Sequence, residues 1–156
     1  MASRRFFRPT WVEVDLSVLK ENFRRFRVRM PRKTKLLFVV KGNAYGHGAA
    51  ACAKLAEKAR LADWFGVSSV EEGISLREAG LCLPILVLGS LYPFESFLAG
   101  AAYRLTPTVA SLESAKRLVE VSRRLGRRVD CHLKVDTGMG RIGVRRSAAV
   151  EIARYL

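Results

Sequence analysis

Lys41 ends the apolar run Leu36-Leu37-Phe38-Val39-Val40 and is followed at once by Gly42-Asn43-Ala44-Tyr45-Gly46-His47-Gly48. The run has strand length and stops at a glycine-rich turn, which places Lys41 at the C-terminal end of a strand. In parallel α/β folds that is the edge where ligands bind. Desolvation there disfavours an ammonium and favours the free amine, which can attack a carbonyl carbon. A lysine after an apolar run is more often simply solvated. However, a solvated strand end has no need of three glycines, a tyrosine and a histidine packed so closely behind it.

A second cluster lies near the other end of the chain. Along His132-Leu133-Lys134-Val135-Asp136 alternate side chains share one face of a strand. His132, Lys134 and Asp136 are then expected to face the interior, with Leu133 and Val135 packed outward against helices. Three inward polar residues near a strand's C-terminal end suit a site better than a core. The plainer alternative is an edge strand with one wet face. Gly138 and Gly140 allow a loop tight enough to bring Arg141 back towards this cluster.

The elements that must position these residues alternate along the chain. Strands are predicted over 35–40, 64–68, 84–89, 104–107 and 128–135. Helices are predicted near 47–60, 70–80, 94–101 and 111–125, and a last one begins near Ser147. An earlier helix follows Asp15, with Leu16, Leu19, Phe23, Phe26 and Met30 on one face. Such alternation means βαβ units on a parallel sheet. Ser69 and Glu72 read as a capping box for a helix that Gly80 closes. Ser111 reads as the N-cap of a helix burying Leu112, Ala115, Leu118, Val119 and Leu125. Glu113–Arg117 and Glu120–Arg124 have favourable i,i+4 spacing on it. Tyr45 is expected at the start of the helix after Lys41, where free N–H groups and a phenol would favour an anion. Pattern alone leaves an open doubly wound sheet and a TIM-type barrel both standing.

Bulk properties exclude several classes. An apolar content of 49% and 9% aromatics argue against disorder. No apolar stretch reaches the roughly 18 residues of a membrane-spanning helix, and the start is a poor secretory signal. Cys52, Cys82 and Cys131 are scattered and have no zinc-ligand spacing, so buried, reduced thiols, no metal and a cytoplasmic location are expected. The net charge of +14 suggests anionic partners. The arginines are dispersed, however, and no nucleic-acid-binding signature accompanies them, so neither specific nucleic-acid binding nor membrane association is expected.

Val39-Val40-Lys41-Gly42-Asn43-Ala44-Tyr45-Gly46-His47-Gly48 resembles the pyridoxal 5'-phosphate (PLP) lysine signature of the alanine racemase family, which normally has Ala at the Gly42 position. The segment 8–16 resembles the family's amino-terminal entry. His132 through Gly143 is similar to its second active-site signature. The resemblance implies an α/β fold: the amino-terminal portion of a PLP-binding (β/α)8 TIM-type barrel, incomplete here with about five βα units. Residues 1–34 would be an amino-terminal strand and helix leading into the barrel, and 35–156 the partial barrel. The family's carboxy-terminal β domain would be absent. The chain stops inside an apolar helical segment, which reads as truncation.

The same resemblance implies PLP-dependent interconversion of L- and D-alanine, the latter for peptidoglycan, with little activity from this chain alone. Lys41 would carry the cofactor and act as catalytic acid or base on one face of the α-carbon. Tyr45 would bind the cofactor phosphate, while His47 would either position the turn or touch cofactor. Arg141 would bind both the cofactor's phenolate oxygen and the substrate carboxylate. Lys134 matches the lysine that many members carry as a carbamate, and two unmodified cations buried together would repel. The complete protein would be a homodimer whose second catalytic tyrosine comes from the partner's carboxy-terminal domain. A broad-range amino-acid racemase or decarboxylase on the same barrel, or a PLP carrier without catalysis, are the alternatives. The Asp136–Arg141 loop speaks against the carrier.

Overall fold

The computed structural model describes residues 10–156. Five parallel strands form one sheet in the order β1-β2-β3-β4-β5. They are β1 (Leu37–Val39), β2 (Trp64–Val67), β3 (Ile85–Val87), β4 (Thr106–Val109) and β5 (His132–Leu133). Strand order therefore equals chain order, as right-handed βαβ crossovers on one side of a sheet require. The helices are α1 (Leu16–Arg29), α2 (Lys41–Tyr45), α3 (Ala49–Lys58), α4 (Val70–Glu78), α5 (Phe94–Ala102), α6 (Leu112–Leu125) and α7 (Arg146–Tyr155). All five predicted strands exist; four are shorter than predicted, and β4 keeps its predicted length but lies two residues further along the chain. Of the strand expected before α1, residues 1–9 lie outside the described residues, and 10–15 are not in a strand.

The two faces of the sheet differ in composition. Val40, Phe65, Val67, Ile85, Val87 and Val109 are buried against the helices. There they meet small or apolar residues such as Cys52, Ala53 and Ala56 of α3 and Ala115, Leu118 and Val121 of α6. The opposite face carries Leu37, Val39, Trp64, Gly66, Leu86, Thr106, Thr108 and His132 by strand alternation and register. A Cβ on Gly66 would lie 2.7 Å from a terminal methyl of Leu37, so a side chain there would have to push Leu37 aside.

This second face is concave. The rings of Trp64 in β2 and His132 in β5 have centroids 5.4 Å apart, although two strands separate them in the sheet. In a flat sheet those strands would stand roughly 14 Å apart, three strand spacings. Only a sheet curling towards closure brings the two rings together. The fold is thus an arc of an incomplete barrel with helices on its convex side.

Local caps set the boundaries. The Asp15 carboxylate accepts the amides of Ser17 and Val18 and starts α1. Ser111 caps α6 in a reciprocal box with Ser114, a partner the sequence reading did not name. On α6 the buried residues are Ala115, Leu118 and Val121, while Leu112 and Leu125 are exposed, contrary to expectation. Both predicted α6 ion pairs, Glu113–Arg117 and Glu120–Arg124, form. Phe26 of α1 is likewise exposed, whereas Leu16, Leu19 and Phe23 pack against the core. The three thiols are free, but Cys82 is exposed rather than buried because it sits in the loop after α4. No helix among the described residues is long and apolar enough to cross a membrane.

Several arginines serve as ties to backbone carbonyls. Arg77 donates to the carbonyls of Leu81, Leu83, Tyr103 and Arg104. Arg27 donates to those of Leu61 and Thr34 and pairs with Asp63, which also accepts the Leu36 amide. A carbonyl satisfies a guanidinium without cancelling its charge, which accounts for part of the basic excess without an anionic partner.

Candidate active site

Lys41 follows β1 in the alternation of Leu37 and Val39 and so lies on the concave side, half-buried, at the C-terminal edge of the sheet. The backbone there does something unusual for L-residues. Gly42, Asn43 and Ala44 adopt left-handed helical angles (φ 58°, 54° and 55°), and Tyr45 follows at φ 54°. Each non-glycine residue in that region costs about 1–2 kcal/mol. Three in succession need support from elsewhere. Gly46 and Gly48, at φ 88° and 89°, then release the chain into α3. Tyr45 is therefore in the left-handed turn, and the following helix starts only at Ala49; the expectation that Tyr45 opens that helix is corrected. The reason is the run of positive φ, which postpones right-handed winding.

Side chains supply the support. Asn43 Oδ1 accepts the amide of Ala49, capping α3 from outside the helix, at 2.9 Å. His47 Nδ1 donates to the Ala44 carbonyl at 2.8 Å. That contact ties the His47 ring to the turn through Nδ1. The Glu72 carboxylate accepts the Gly42 amide at 2.7 Å through one oxygen. Its other oxygen accepts the Ser68 amide and hydroxyl at 2.7 and 2.8 Å. Burial pushes the Glu72 carboxyl up, but the amides of Ser68 and Gly42 outweigh it and hold the group below its ordinary value. The expected capping box is thus only half made. Ser69 Oγ accepts the Glu72 amide, while the carboxylate is spent on Ser68 and Gly42.

The Lys41 ammonium lies 5.9 Å from the centre of the Tyr45 ring, within cation–π range. It pairs with no carboxylate among the described residues. The Tyr45 ring is 64% exposed, which leaves its hydroxyl open to a ligand.

Lys134 sits just past β5, its amide bonded to the Val109 carbonyl, and alternation with His132 places it on the concave side. Leu133 and Val135 pack against the core. Asp136 accepts the amides of Gly138 and Gly140 at 3.0 and 3.1 Å, and those bonds hold its carboxyl below the ordinary range. The loop closes where Val144 returns beside Val135. Arg141 stands exposed within it and pairs with no carboxylate among the described residues. No cluster of three or more His, Cys, Asp or Glu that could hold a metal occurs among the described residues.

Two features therefore lie along the C-terminal edge of the sheet: a lysine on a left-handed turn after β1, and after β5 a second lysine leading into a loop with an arginine. The family model for the alanine racemase N-terminal domain matches residues 14–156. The chain belongs to that family. It is 46% identical over 133 residues to the alanine racemase of Synechocystis, covering 85% of this chain and 36% of that protein. It is 45% identical over 149 residues to that of Symbiobacterium thermophilum, covering 96% and 39%. Among solved structures it is similar to the Clostridium difficile alanine racemase, with 38% identity, a TM-score of 0.89, and coverage of 96% of this chain and 39% of that one. It is also similar to the Bacillus anthracis alanine racemase with bound L-Ala-P, with 34% identity, a TM-score of 0.82, and coverage of 98% and 41%. The chain spans well under half the length of these alanine racemases.

The sequence reading of this alanine-racemase domain missed two residues of the site. Asn43 carried a usable signal, since asparagine tolerates positive φ and caps helices. Glu72 carried a misleading one, because its spacing from Ser69 already had a local explanation.

Proposed function

We propose that this chain is the lysine-bearing part of a PLP-dependent alanine racemase that interconverts L- and D-alanine. The observation that carries the reading is Lys41: a half-buried lysine, unpaired with any carboxylate among the described residues, at the barrel edge where ligands bind. The named relatives and the family model support the substrate assignment.

The donor set suits PLP, an anionic aldehyde. Lys41 offers a primary amine, Tyr45 an open phenol, and Lys134 and Arg141 two further cations on the same edge of the arc. When bound, PLP would supply an electron sink that makes the substrate α-proton acidic. Lys41 would bind the cofactor through its amine and, once released, take or return the α-proton on one face. The Tyr45 hydroxyl would donate to the phosphate. Arg141 would bind the cofactor's phenolate oxygen and hold the substrate carboxylate. Lys134, carried as a carbamate, would present an anion to orient Arg141. Inversion also needs a proton donor on the opposite face. No described tyrosine is assigned that role, and a tyrosine of the partner subunit in a homodimer is proposed for it. A cytoplasmic enzyme supplying D-alanine to the cell wall completes the reading.

The test uses the full-length protein that contains this chain. Borohydride reduction after PLP loading should fix one pyridoxyl group on the peptide carrying Lys41, alongside measurable conversion of L- to D-alanine. Lys41→Ala should lose the adduct, the visible absorbance and the conversion together. A stoichiometric adduct surviving in that variant would overturn the assignment, because lysine is the side chain that forms this bond.

A further inference from the structure

We infer that Glu72 is a positioning residue for Lys41: its carboxylate ties the left-handed turn after β1 to the end of β2 and thereby sets where the Lys41 amine stands. The inference rests on the proposed role of Lys41 and adds a residue in the next βα unit.

Gly42 is the first residue of the left-handed run and directly follows Lys41. Its amide, left without a partner, would be free to swing, and with it the peptide that carries the lysine. Glu72 Oε1 accepts that amide at 2.7 Å across 30 residues of sequence. The other end of the tie is firm. Ser68 gives Glu72 both its amide and its hydroxyl. The Ser68 carbonyl in turn abuts Gly89, two residues past the end of β3, where an added Cβ would lie 2.4 Å from it. The Val40 amide, bonded to the Gly66 carbonyl at 2.8 Å, fixes the other side of Lys41 to the same strand. Lys41 is thus held on one flank by β2 and on the other by Glu72 of α4, itself bonded to Ser68 at the end of β2.

The chemistry of the tie explains why an acid stands there. A carboxylate has no donor and can accept several bonds, so one group satisfies an amide from each of two strand ends plus a hydroxyl. It lines a hollow with Val40, Asn43, Ala49, Val67 and Leu76. Both of its oxygens are occupied by neutral donors, and it makes no ion pair with Lys41. Its effect on the amine is therefore one of placement: it leaves Lys41 free for a ligand while fixing the backbone on which Lys41 stands.

The experiment compares wild type, Glu72→Ala, Glu72→Gln and Ser68→Ala in the full-length protein. Amide hydrogen exchange over residues 42–48 is read with and without PLP, together with the rate of PLP release and thermal stability. In Glu72→Ala, exchange over 42–48 should speed up by about tenfold or more, the scale for losing bonds to a charged acceptor. PLP release should speed up in parallel, and exchange in β3 and β4 should be unchanged. Glu72→Gln keeps one carbonyl oxygen and should fall between, while Ser68→Ala, losing one bond of three, should change least. Wild-type exchange over 42–48 in both Glu72 variants overturns the inference. If Glu72→Ala does not fold, Glu72→Gln decides by the same readout. The exchange measurement without PLP needs no cofactor on Lys41. A protein in which Lys41 takes no PLP therefore refutes the proposed function while the tie is still judged.

Discussion

The turn over 41–48 and the loop over 136–143 are both glycine-bearing, both follow a strand on the concave edge, and both are organised by one carboxylate. They differ in where that carboxylate comes from. Asp136 binds amides two and four residues ahead of itself, so its loop is a local construction. Glu72 reaches the Gly42 amide from the next βα unit, so the Lys41 turn is a tertiary construction. The difference bears on function. A residue that must hold a reacting group is best placed on backbone bonded into the sheet, as Lys41 is. A residue that closes on a ligand can sit on a loop bonded only to itself, as Arg141 does.

Four changes probe this contrast. Arg141→Ala in the full-length protein should have the largest effect, on the order of 100-fold in kcat/KM for alanine, with KM raised and turnover lowered. A carboxylate would lose a two-pronged charged partner. Hydrogen exchange in the Lys41 turn should not change, and unaltered kinetics would remove Arg141 from substrate binding. Gly143→Ala should come next. Its Cβ would lie 2.6 Å from the Asp136 amide nitrogen at a φ of 144°. The base of the loop would have to shift, at about 2 kcal/mol in chemical denaturation; a wild-type midpoint would contradict this.

Gly42→Ala should be milder. Nothing lies within 4 Å of a Cβ there, so the cost comes from the positive φ alone, about 1 kcal/mol. The family's usual Ala at this position fits retained PLP binding, and loss of binding would show that the turn tolerates less than its geometry suggests.

The smallest effect is on pH dependence. Glu72 and Asp136 both have folded-state values below the ordinary carboxylate range. Their contribution is then full above that range and is lost as the pH falls through the lowered values. Amide chemical shifts of Gly42 and Gly138 should report the two protonations separately. A titration of either amide at or above the ordinary value would contradict the depressed direction.

Much of this was legible in the linear chain, for a physical reason. Strand and helix patterns are local periodicities, and all five strands stood where apolar runs met turn residues. The tight loop was legible in Gly138 and Gly140, but Asp136, expected to face the interior, instead spends its carboxylate on their amides. Both i,i+4 pairs on α6 formed because helix geometry alone sets that distance. Positions facing the solvent were less readable. Leu112, Leu125, Phe26 and Cys82 are apolar or thiol side chains that the packing left exposed, and hydrophobicity by itself does not say which partner covers a residue.

By itself the sequence determined the lysine, its strand, the glycines behind it and the alternation that puts Lys134 on the concave side, because each depends on neighbours a few residues away. The tertiary structure alone decided that the turn winds left-handed through Asn43, Ala44 and Tyr45, and that one oxygen of the Glu72 carboxylate reaches the Gly42 amide to hold it. It also decided that the sheet curls enough to bring Trp64 against His132. Those outcomes depend on the free energy of groups distant in sequence meeting in space. A strained turn is stable only when a second strand supplies the bonds that offset its strain.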